Sequence, residues 1–530
     1  MTQRPSPDQP DGHTRPSLTR DRTGTLDRRA PLVVVGDALL DHDVTGSAHR
    51  LAPDAPVPVV EPTAETARPG GAALAAWLAA GDGREVTLVT ALGDDPASHT
   101  LRELLDGYVR IEALPLSGGL SEKTRVLAGG HPLLRLDRGT GRASAATSAA
   151  EEAIRTAGAL LVADYGRGTA DVLRPVLSAV AAHTPTVWDP HPRGGAPVPG
   201  TRLATPARAE AREFAAALRS SGDGAGHTSA CAPPDHHAAQ TEEDPLDAAR
   251  WAAALVEGWR VGSVAVTLGA QGALLSQGGL PLLIPAASCH PGDTCGAGDR
   301  FASAAAGLLA DGKLAEEAAR RAVEAAGSFV GAGGAAALGF PGPANPGTGR
   351  RTGVSEPPPP PVRTGPRAGR RTPTGPGAAH QLARATREEG GTLVATGGCF
   401  DLLHAGHVSL LEAAARIGDR LIVCVNSDAS VRRRKSQGRP ISPLTDRVRV
   451  LSALACVDAV AVFDEDTPEQ LLAQLRPHVW AKGGDYAHEE LPEARLLRDW
   501  GGRVVLLPYL DGRSSTGLAL RAAASHGALG

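Results

Sequence analysis

Apolar residues come in short blocks along this chain rather than in strict alternation. Leu32-Val33-Val34-Val35 runs into Gly36-Asp37, the pattern of a parallel strand buried on both faces. Blocks of the same kind recur at Val86-Thr87-Leu88-Val89, Leu160-Leu161-Val162-Ala163-Asp164, Thr186-Val187-Trp188-Asp189 and Val264-Ala265-Val266-Thr267. Helical stretches separate several of them, as around Ala72–Ala80 and Ala248–Val256. Strand and helix in alternation predict an α/β domain. A second pattern opens at Thr392-Leu393-Val394-Ala395-Thr396, passes through a helix at about His407–Ile417 and returns at Leu421-Ile422-Val423-Cys424-Val425. This is a βαβ unit, and ligands of such sheets bind beyond the carboxyl ends of the strands.

Three stretches have no such pattern. Residues 1–30 are polar and read as a disordered tail. Residues 219–245 are rich in Gly, Ser, His, Asp and Pro and read as a mobile surface insertion. Its His236-His237 pair lacks a Cys/His framework and reads as loop rather than metal site. From Pro341 to Gly377 the chain is dense in Pro, Gly, Arg and Thr, which cannot pack a core and suits an extended linker. The expected organisation is a first domain over 31–340, a linker over 341–385 and a second domain over 386–530.

Composition narrows the function classes. A chain of 530 residues has room for two or three domains. Aromatic residues make up only 3%, so the cores must rest on Leu, Val and Ala. The formal net charge of -4 gives no bulk drive toward nucleic acid or an anionic membrane, so neither is an expected partner. The six cysteines, at 231, 289, 295, 399, 424 and 456, show no zinc or redox spacing and read as reduced thiols. No apolar run reaches the roughly 18–20 residues that span a bilayer, and the N-terminus lacks a signal-peptide core. A cytoplasmic protein is expected.

Two strand-to-helix corners carry the candidate chemistry. The first is Thr396-Gly397-Gly398-Cys399-Phe400-Asp401-Leu402-Leu403-His404-Ala405-Gly406-His407. Its glycines let backbone approach a ligand, and the helix start offers free N–H groups to phosphate. His404 and His407 are three apart and share a side if both lie on the first turn. Two imidazoles with backbone donors can stabilise charge on a transferring phosphoryl group.

This string resembles the cytidylyltransferase-like nucleotidyltransferases. Within them it is similar to the adenylyltransferase half of the bifunctional heptose 7-phosphate kinase / heptose 1-phosphate adenylyltransferases. The likeness spans 390–523 and takes in Asn426-Ser427-Asp428, Arg439-Pro440, Glu465-Asp466-Thr467-Pro468, Lys482-Gly483-Gly484-Asp485-Tyr486 and Asp511-Gly512-Arg513-Ser514-Ser515-Thr516. It implies a Rossmann-like domain in which His404 and His407 contact the nucleotide phosphates. Gly398, Cys399 and Phe400 would line the phosphates; Lys482, Ser515 and Thr516 would lie near phosphates or base; Asp428 and Arg447 would frame the pocket. A sugar 1-phosphate would attack the α-phosphate of ATP and expel pyrophosphate. Gly397 departs from the Asn usual in the relatives, which removes one contact.

The second corner is Asp293-Thr294-Cys295-Gly296-Ala297-Gly298-Asp299, feeding a helix over Arg300–Ala310. A glycine turn into a helix makes an anion hole from backbone amides, and a carboxylate there can take the proton of an attacking hydroxyl. This string resembles the signature of the ribokinase-like sugar kinases, over 31–340. It is joined by Pro53-Asp54-Ala55-Pro56, Gly70-Gly71-Ala72-Ala73, Lys123-Thr124-Arg125, Arg135-Leu136-Asp137 and Asp164-Tyr165-Gly166. The order of these segments again matches the heptose 7-phosphate kinases. The resemblance implies a three-layer α/β domain with a small β lid, Asp299 as catalytic base and Gly296, Ala297 and Gly298 on the phosphate. It assigns Asp37, Asp41, Gly70, Gly71, Lys123, Arg125 and Arg135 to the sugar, and Thr267, Gly269 and Gly272 to the nucleotide border. Three positions depart from it: Leu74 and Ala207 stand for Asn, and His191 stands for a commoner Lys. With Ala207 in place, only Glu210 remains of the pair that organises magnesium.

The expected activity is phosphorylation of heptose 7-phosphate at the anomeric hydroxyl, then adenylylation of the 1-phosphate. A phosphatase on another chain removes the 7-phosphate in between. The substrates are ATP and sugar phosphates, with Mg2+ as cofactor, and a homodimer is the default assembly. The competing reading is a transferase for another sugar or alcohol phosphate, with a kinase-like half that senses a ligand or serves structure.

Overall fold

The computed structural model describes residues 29–128, 131–222, 245–286, 293–338, 340, 377–435, 438–483 and 491–508. Their strands, in chain order, are β1 Leu32–Gly36, β2 Ala38–Leu51, β3 Pro58–Gly71, β4 Val86–Leu92, β5 Arg110–Ser117, β6 Glu122–Ala128 and β7 His131–Arg138. There follow β8 Arg142–Ala143, β9 Leu160–Asp164, β10 Thr186–Pro190, β11 Leu203–Ala204, β12 Val264–Thr267, β13 Ala273–Ser276 and β14 Leu282–Ile284. The last five are β15 Leu393–Gly398, β16 Arg420–Asn426, β17 Ala459–Phe463, β18 Val479–Gly483 and β19 Arg503–Leu507. The helices begin with α1 Ala72–Gly81, α2 Pro96–Leu105, α3 Ser148–Arg155, α4 Thr169–Val180, α5 Arg208–Gly222, α6 Pro245–Trp259, α7 Ala297–Ala310 and α8 Ala315–Gly331. They end with α9 Ala378–Glu388, α10 Ala405–Ala415, α11 Asp428–Arg434, α12 Leu444–Ser452, α13 Glu469–Leu475 and α14 Pro492–Arg498.

The chain forms two compact units, Met1–Thr205 with Pro291–Ala344, and Pro206–His290 with Asn345–Gly530. The first holds a sheet in the order β11-β10-β9-β1-β4-β5-β8. Its strands are parallel apart from the antiparallel β5–β8 pair. Central strands are covered on both faces, so Val35, Val89, Leu160, Val162 and Trp188 are fully buried and continuously apolar. A four-stranded sheet, β3-β2-β6-β7, stands apart from it as the expected small lid. Its β2 follows β1 after a single residue, Asp37.

The second unit carries a sheet in the order β17-β16-β15-β18-β19-β14-β13-β12. The first five of these strands are parallel, and Leu421 through Val425 on β16 are wholly buried. Two sequence boundaries shift. Helix α5 runs on to Gly222 and α6 opens at Pro245, so 219–222 and 245 are helical rather than insertion. Helix α9 takes up 378–385 of the stretch expected as linker, because Ala378, Ala379 and Ala383 give it a buried face. His236 and His237 lie outside the described residues, as does most of the Pro-rich stretch.

Candidate active sites

The first site lies at the start of α7. Gly296 caps the helix in the left-handed region, at φ 80°, a conformation glycine adopts freely. A Cβ there would also come within 2.9 Å of Leu74 Cδ2. Ala297, Gly298 and Asp299 form the first turn; the Ala297 amide donates to the Thr294 carbonyl at 3.1 Å, while those of Gly298 and Asp299 have no intrahelical acceptor and form a candidate anion hole. The Tyr165 hydroxyl donates to Asp299 Oδ1 at 2.9 Å. Burial pushes the Asp299 carboxyl up to about 7, with Asp41 adding to the rise and Tyr165 and Lys123 opposing it. A carboxylate poised near neutrality suits a general base.

A buried charge network flanks it. Arg68 donates to Asp41 at 2.8 Å and to Asp43 at 3.2 Å, and Arg125 donates to Asp43 at 2.9 Å. Asp41 Oδ1 is buried with no hydrogen-bond partner, so one acceptor is left for a hydroxyl. Gly70 makes room for it: a Cβ there would lie 2.9 Å from the Asp41 carboxyl carbon. Gly71, at φ 57°, turns the chain from β3 into α1. Lys123 sits on β6 with its ammonium 5.5 Å from the Tyr165 ring centroid. Arg135, on β7, is exposed and forked onto Asp137.

Asp37 faces elsewhere. It is buried, and its carboxylate accepts from the backbone amides of Tyr165, Arg167 and Thr169 at 2.8–3.1 Å. That shapes the loop into α4. Leu74 belongs to a small apolar cluster with Leu78 and Ala335 and packs beneath the Gly296 turn. It supports the anion hole and supplies no hydrogen bond. The His191 ring lies 5.9 Å from that of Tyr165; burial, then Arg193 and Lys123, bring its pKa down to about 4, so it is neutral.

The second unit holds the remaining residues assigned to the kinase. Thr267 ends β12, and the following turn has Gly269 at φ 60° and Gly272 at φ 97°. A Cβ on Gly272 would collide with the Ile284 carbonyl oxygen at 2.0 Å, so only glycine closes this turn. Glu210 accepts from the Ala207 amide at 2.7 Å, the returning half of a capping box at the start of α5. Among the described residues no group of three or more His, Cys, Asp or Glu could hold a metal ion. Glu210 is thus engaged at its own helix start.

The transferase corner runs from β15 into α10. His404 caps α10 and His407 sits in its first turn, and their rings stack with centroids 3.9 Å apart. Burial, then His404, bring the His407 pKa down to about 4, so at neutral pH it donates a hydrogen bond rather than a charge. Phe400, at φ 47°, lays its ring edge-on to His407 at 5.3 Å and closely under Gly398. Arg447 is buried, donates to the Cys399 carbonyl at 2.8 Å and to Asp428 at 2.7 Å, and so ties α11 and α12 to the corner. Burial raises the Asp428 pKa, but the Arg447 hydrogen bond and charge, the Leu444 amide and Arg432 together hold the carboxyl low. Lys482 extends from β18 and donates to the buried Glu493 at 3.1 Å. Ser515 and Thr516 lie outside the described residues.

Sequence reading missed Arg68, Asp43, Glu493 and Lys435. The exposed Lys435 lies near enough to add to the lowering of the His407 pKa and to oppose the rise that burial gives Cys399. These residues carry no motif of their own, and only folding brings them to the corners. The departure at Gly397 also has an explanation: a Cβ there would lie 2.4 Å from Trp480 Cη2, so the buried indole fills the space.

Two predictions arise here. Asp299 acts as a base only when ionised, so kinase kcat/KM should rise with pH through about 7. Tyr165→Phe removes a donor that favours the charged form, so the rise should move up by about one pH unit; an unmoved profile contradicts the coupling. Gly397→Asn should destabilise the protein by about 1–3 kcal/mol through overpacking. Adding Trp480→Leu should recover most of that in thermal or denaturant unfolding, and additive losses would refute the pairing.

The pfkB family carbohydrate kinases match residues 195–341, and the cytidylyltransferase-like family matches residues 395–516. The fold and both corners thus define a carbohydrate kinase joined to a nucleotidyltransferase. Bifunctional protein HldE of Streptomyces coelicolor is 60% identical over 93% of this chain and 97% of its own length. Those of Azorhizobium caulinodans and Escherichia coli O9:H4 are 36% and 34% identical, over 93% and 92% of this chain and 98% and 96% of theirs. The chain belongs to the HldE family of bifunctional proteins. Among the described residues no helix is long and apolar enough to cross a membrane.

Proposed function

We propose that this enzyme makes an ADP-activated heptose in two separate ATP-dependent steps. The observation that carries the reading is the Asp299 carboxyl, poised near 7 in the first turn of α7 beside the Gly298 amide. In the first step the anomeric hydroxyl of heptose 7-phosphate attacks the γ-phosphorus of ATP. Asp299 takes the hydroxyl proton, the amides of Gly298 and Asp299 hold the γ-phosphate oxygens, and ADP leaves.

In the second step an oxygen of heptose 1-phosphate attacks the α-phosphorus of a second ATP, and pyrophosphate leaves. The nucleophile is already anionic, so no base is needed. The enzyme's work is alignment and charge stabilisation by His404 and the neutral His407, with Lys482 serving the phosphates. Removal of the 7-phosphate falls to another protein. Magnesium accompanies ATP as the counter-ion of its phosphates. The reading places the enzyme in the cytoplasm as a homodimer, which sedimentation would check.

Purified protein incubated with ATP and heptose 7-phosphate should yield a heptose bisphosphate by mass spectrometry. ADP-heptose should appear only once a sugar phosphatase is added. If no bisphosphate forms while heptose 1-phosphate is still adenylylated, the first half is a sensing or structural module instead.

A further inference from the structure

Lys482 has a partner that no motif announces. Its ammonium donates to both carboxylate oxygens of Glu493, at 3.1 and 3.5 Å. Glu493 lies eleven residues on, in the first turn of α14, and is buried. A carboxylate taken out of water is costly unless a cation meets it. Leu491 and Leu497, buried on either side of it, set α14 against β19 and α13 and so fix where the carboxylate stands.

The lysine backbone is fixed as firmly. Thr396 and Ala481 pair in the β15–β18 register, and the Thr396 hydroxyl donates to the Ala481 carbonyl at 2.7 Å. Lys482 is the next residue of β18, as Gly397 is of β15, so it stands at the carboxyl edge where the histidine corner opens. Its charge, however, rides on a flexible four-carbon stem that the strand alone does not orient. The ion pair with Glu493 orients it. The Glu493 side chain is 9% exposed and that of Lys482 25%, so the lysine can be reached while it is held.

We propose that Glu493 is a positioning residue for adenylyl transfer, holding the Lys482 ammonium ready for the pyrophosphate that leaves ATP. This rests on the transferase reading above, which gives Lys482 to the phosphates. Glu493 acts through Lys482, since a carboxylate set against a triphosphate would repel it. Charge on the leaving pyrophosphate grows in the transition state, so a cation fixed in advance raises kcat more than it tightens ATP. The alternative is a resting contact that ATP must break. Burial argues against it, because a lysine that swung away would strand the carboxylate without its cation.

The test is a double-mutant cycle in the full-length protein: Glu493→Gln, Lys482→Met and the two together. Pyrophosphate release from ATP and heptose 1-phosphate is the readout. Glu493→Gln should lower kcat at least about tenfold and move the ATP KM less than about threefold, with Glu493→Asp recovering part. In the Lys482→Met background the same change should cost less than about twofold, because the group it positions is gone. Equal losses in both backgrounds would overturn the proposal and leave Glu493 a structural role. A Glu493→Gln variant as fast as wild type, or faster, would overturn it in favour of the resting contact. Thermal unfolding reports folding, and if Glu493→Gln does not fold, Glu493→Asp carries the same cycle. Wild type inactive in adenylyl transfer would overturn the transferase reading and the proposal with it; active wild type with additive variants would overturn the proposal alone.

Discussion

Asp299→Asn should lower the turnover of the kinase half by about 10³-fold while leaving adenylyl transfer within about twofold of wild type. The side chain keeps its size and can still meet the Tyr165 hydroxyl, so the α7 turn and the Leu74 packing beneath Gly296 should persist. What is lost is the proton acceptor. The amides proposed to hold the γ-phosphate remain, so ATP binding should be retained. Initial rates of bisphosphate formation across pH 6–9 check this. Turnover within tenfold of wild type would mean that another group takes the proton.

His407→Ala should lower adenylyl transfer by about 10²–10³-fold, without a matching change in the kinase half. The ring stacks on His404 and meets Phe400 edge-on, so its removal takes away a donor and loosens its partner. His407 stays neutral down to about pH 4, so the wild-type rate should show no limb from it between pH 5 and 8. Pyrophosphate release from heptose 1-phosphate and ATP measures both effects. Release unchanged in the variant would remove the imidazole pair from the mechanism.

Much of this architecture was legible in the sequence because buried parallel strands are continuous apolar runs. Leu160–Asp164 and Val264–Thr267 match the observed strands end to end. The two corners were legible because glycine, helix start and reactive side chain fall within a dozen residues. The lid strands were not: β2 and β3 mix buried and exposed positions and carry Asp, Glu, Arg and Pro, so neither alternation nor an apolar run marks them.

The partners of the catalytic groups were hidden for another reason. Tyr165 reaches Asp299 across 134 residues, and Arg68 reaches Cys295 across 227. No local spacing encodes such pairs. Departures were visible as letters, but their meaning was not. Gly397 became intelligible only with Trp480 in its space, and Leu74 only beneath Gly296.

The most direct measurement of two independent phosphate corners follows the products of Asp299→Asn, His407→Ala and an equimolar mixture of them by mass spectrometry, with ATP, heptose 7-phosphate and a sugar phosphatase present. Each variant alone should give almost no ADP-heptose from heptose 7-phosphate, and the mixture should restore it, because the intermediates diffuse between chains. No recovery in the mixture, with both proteins folded, would contradict the separation of the two chemistries.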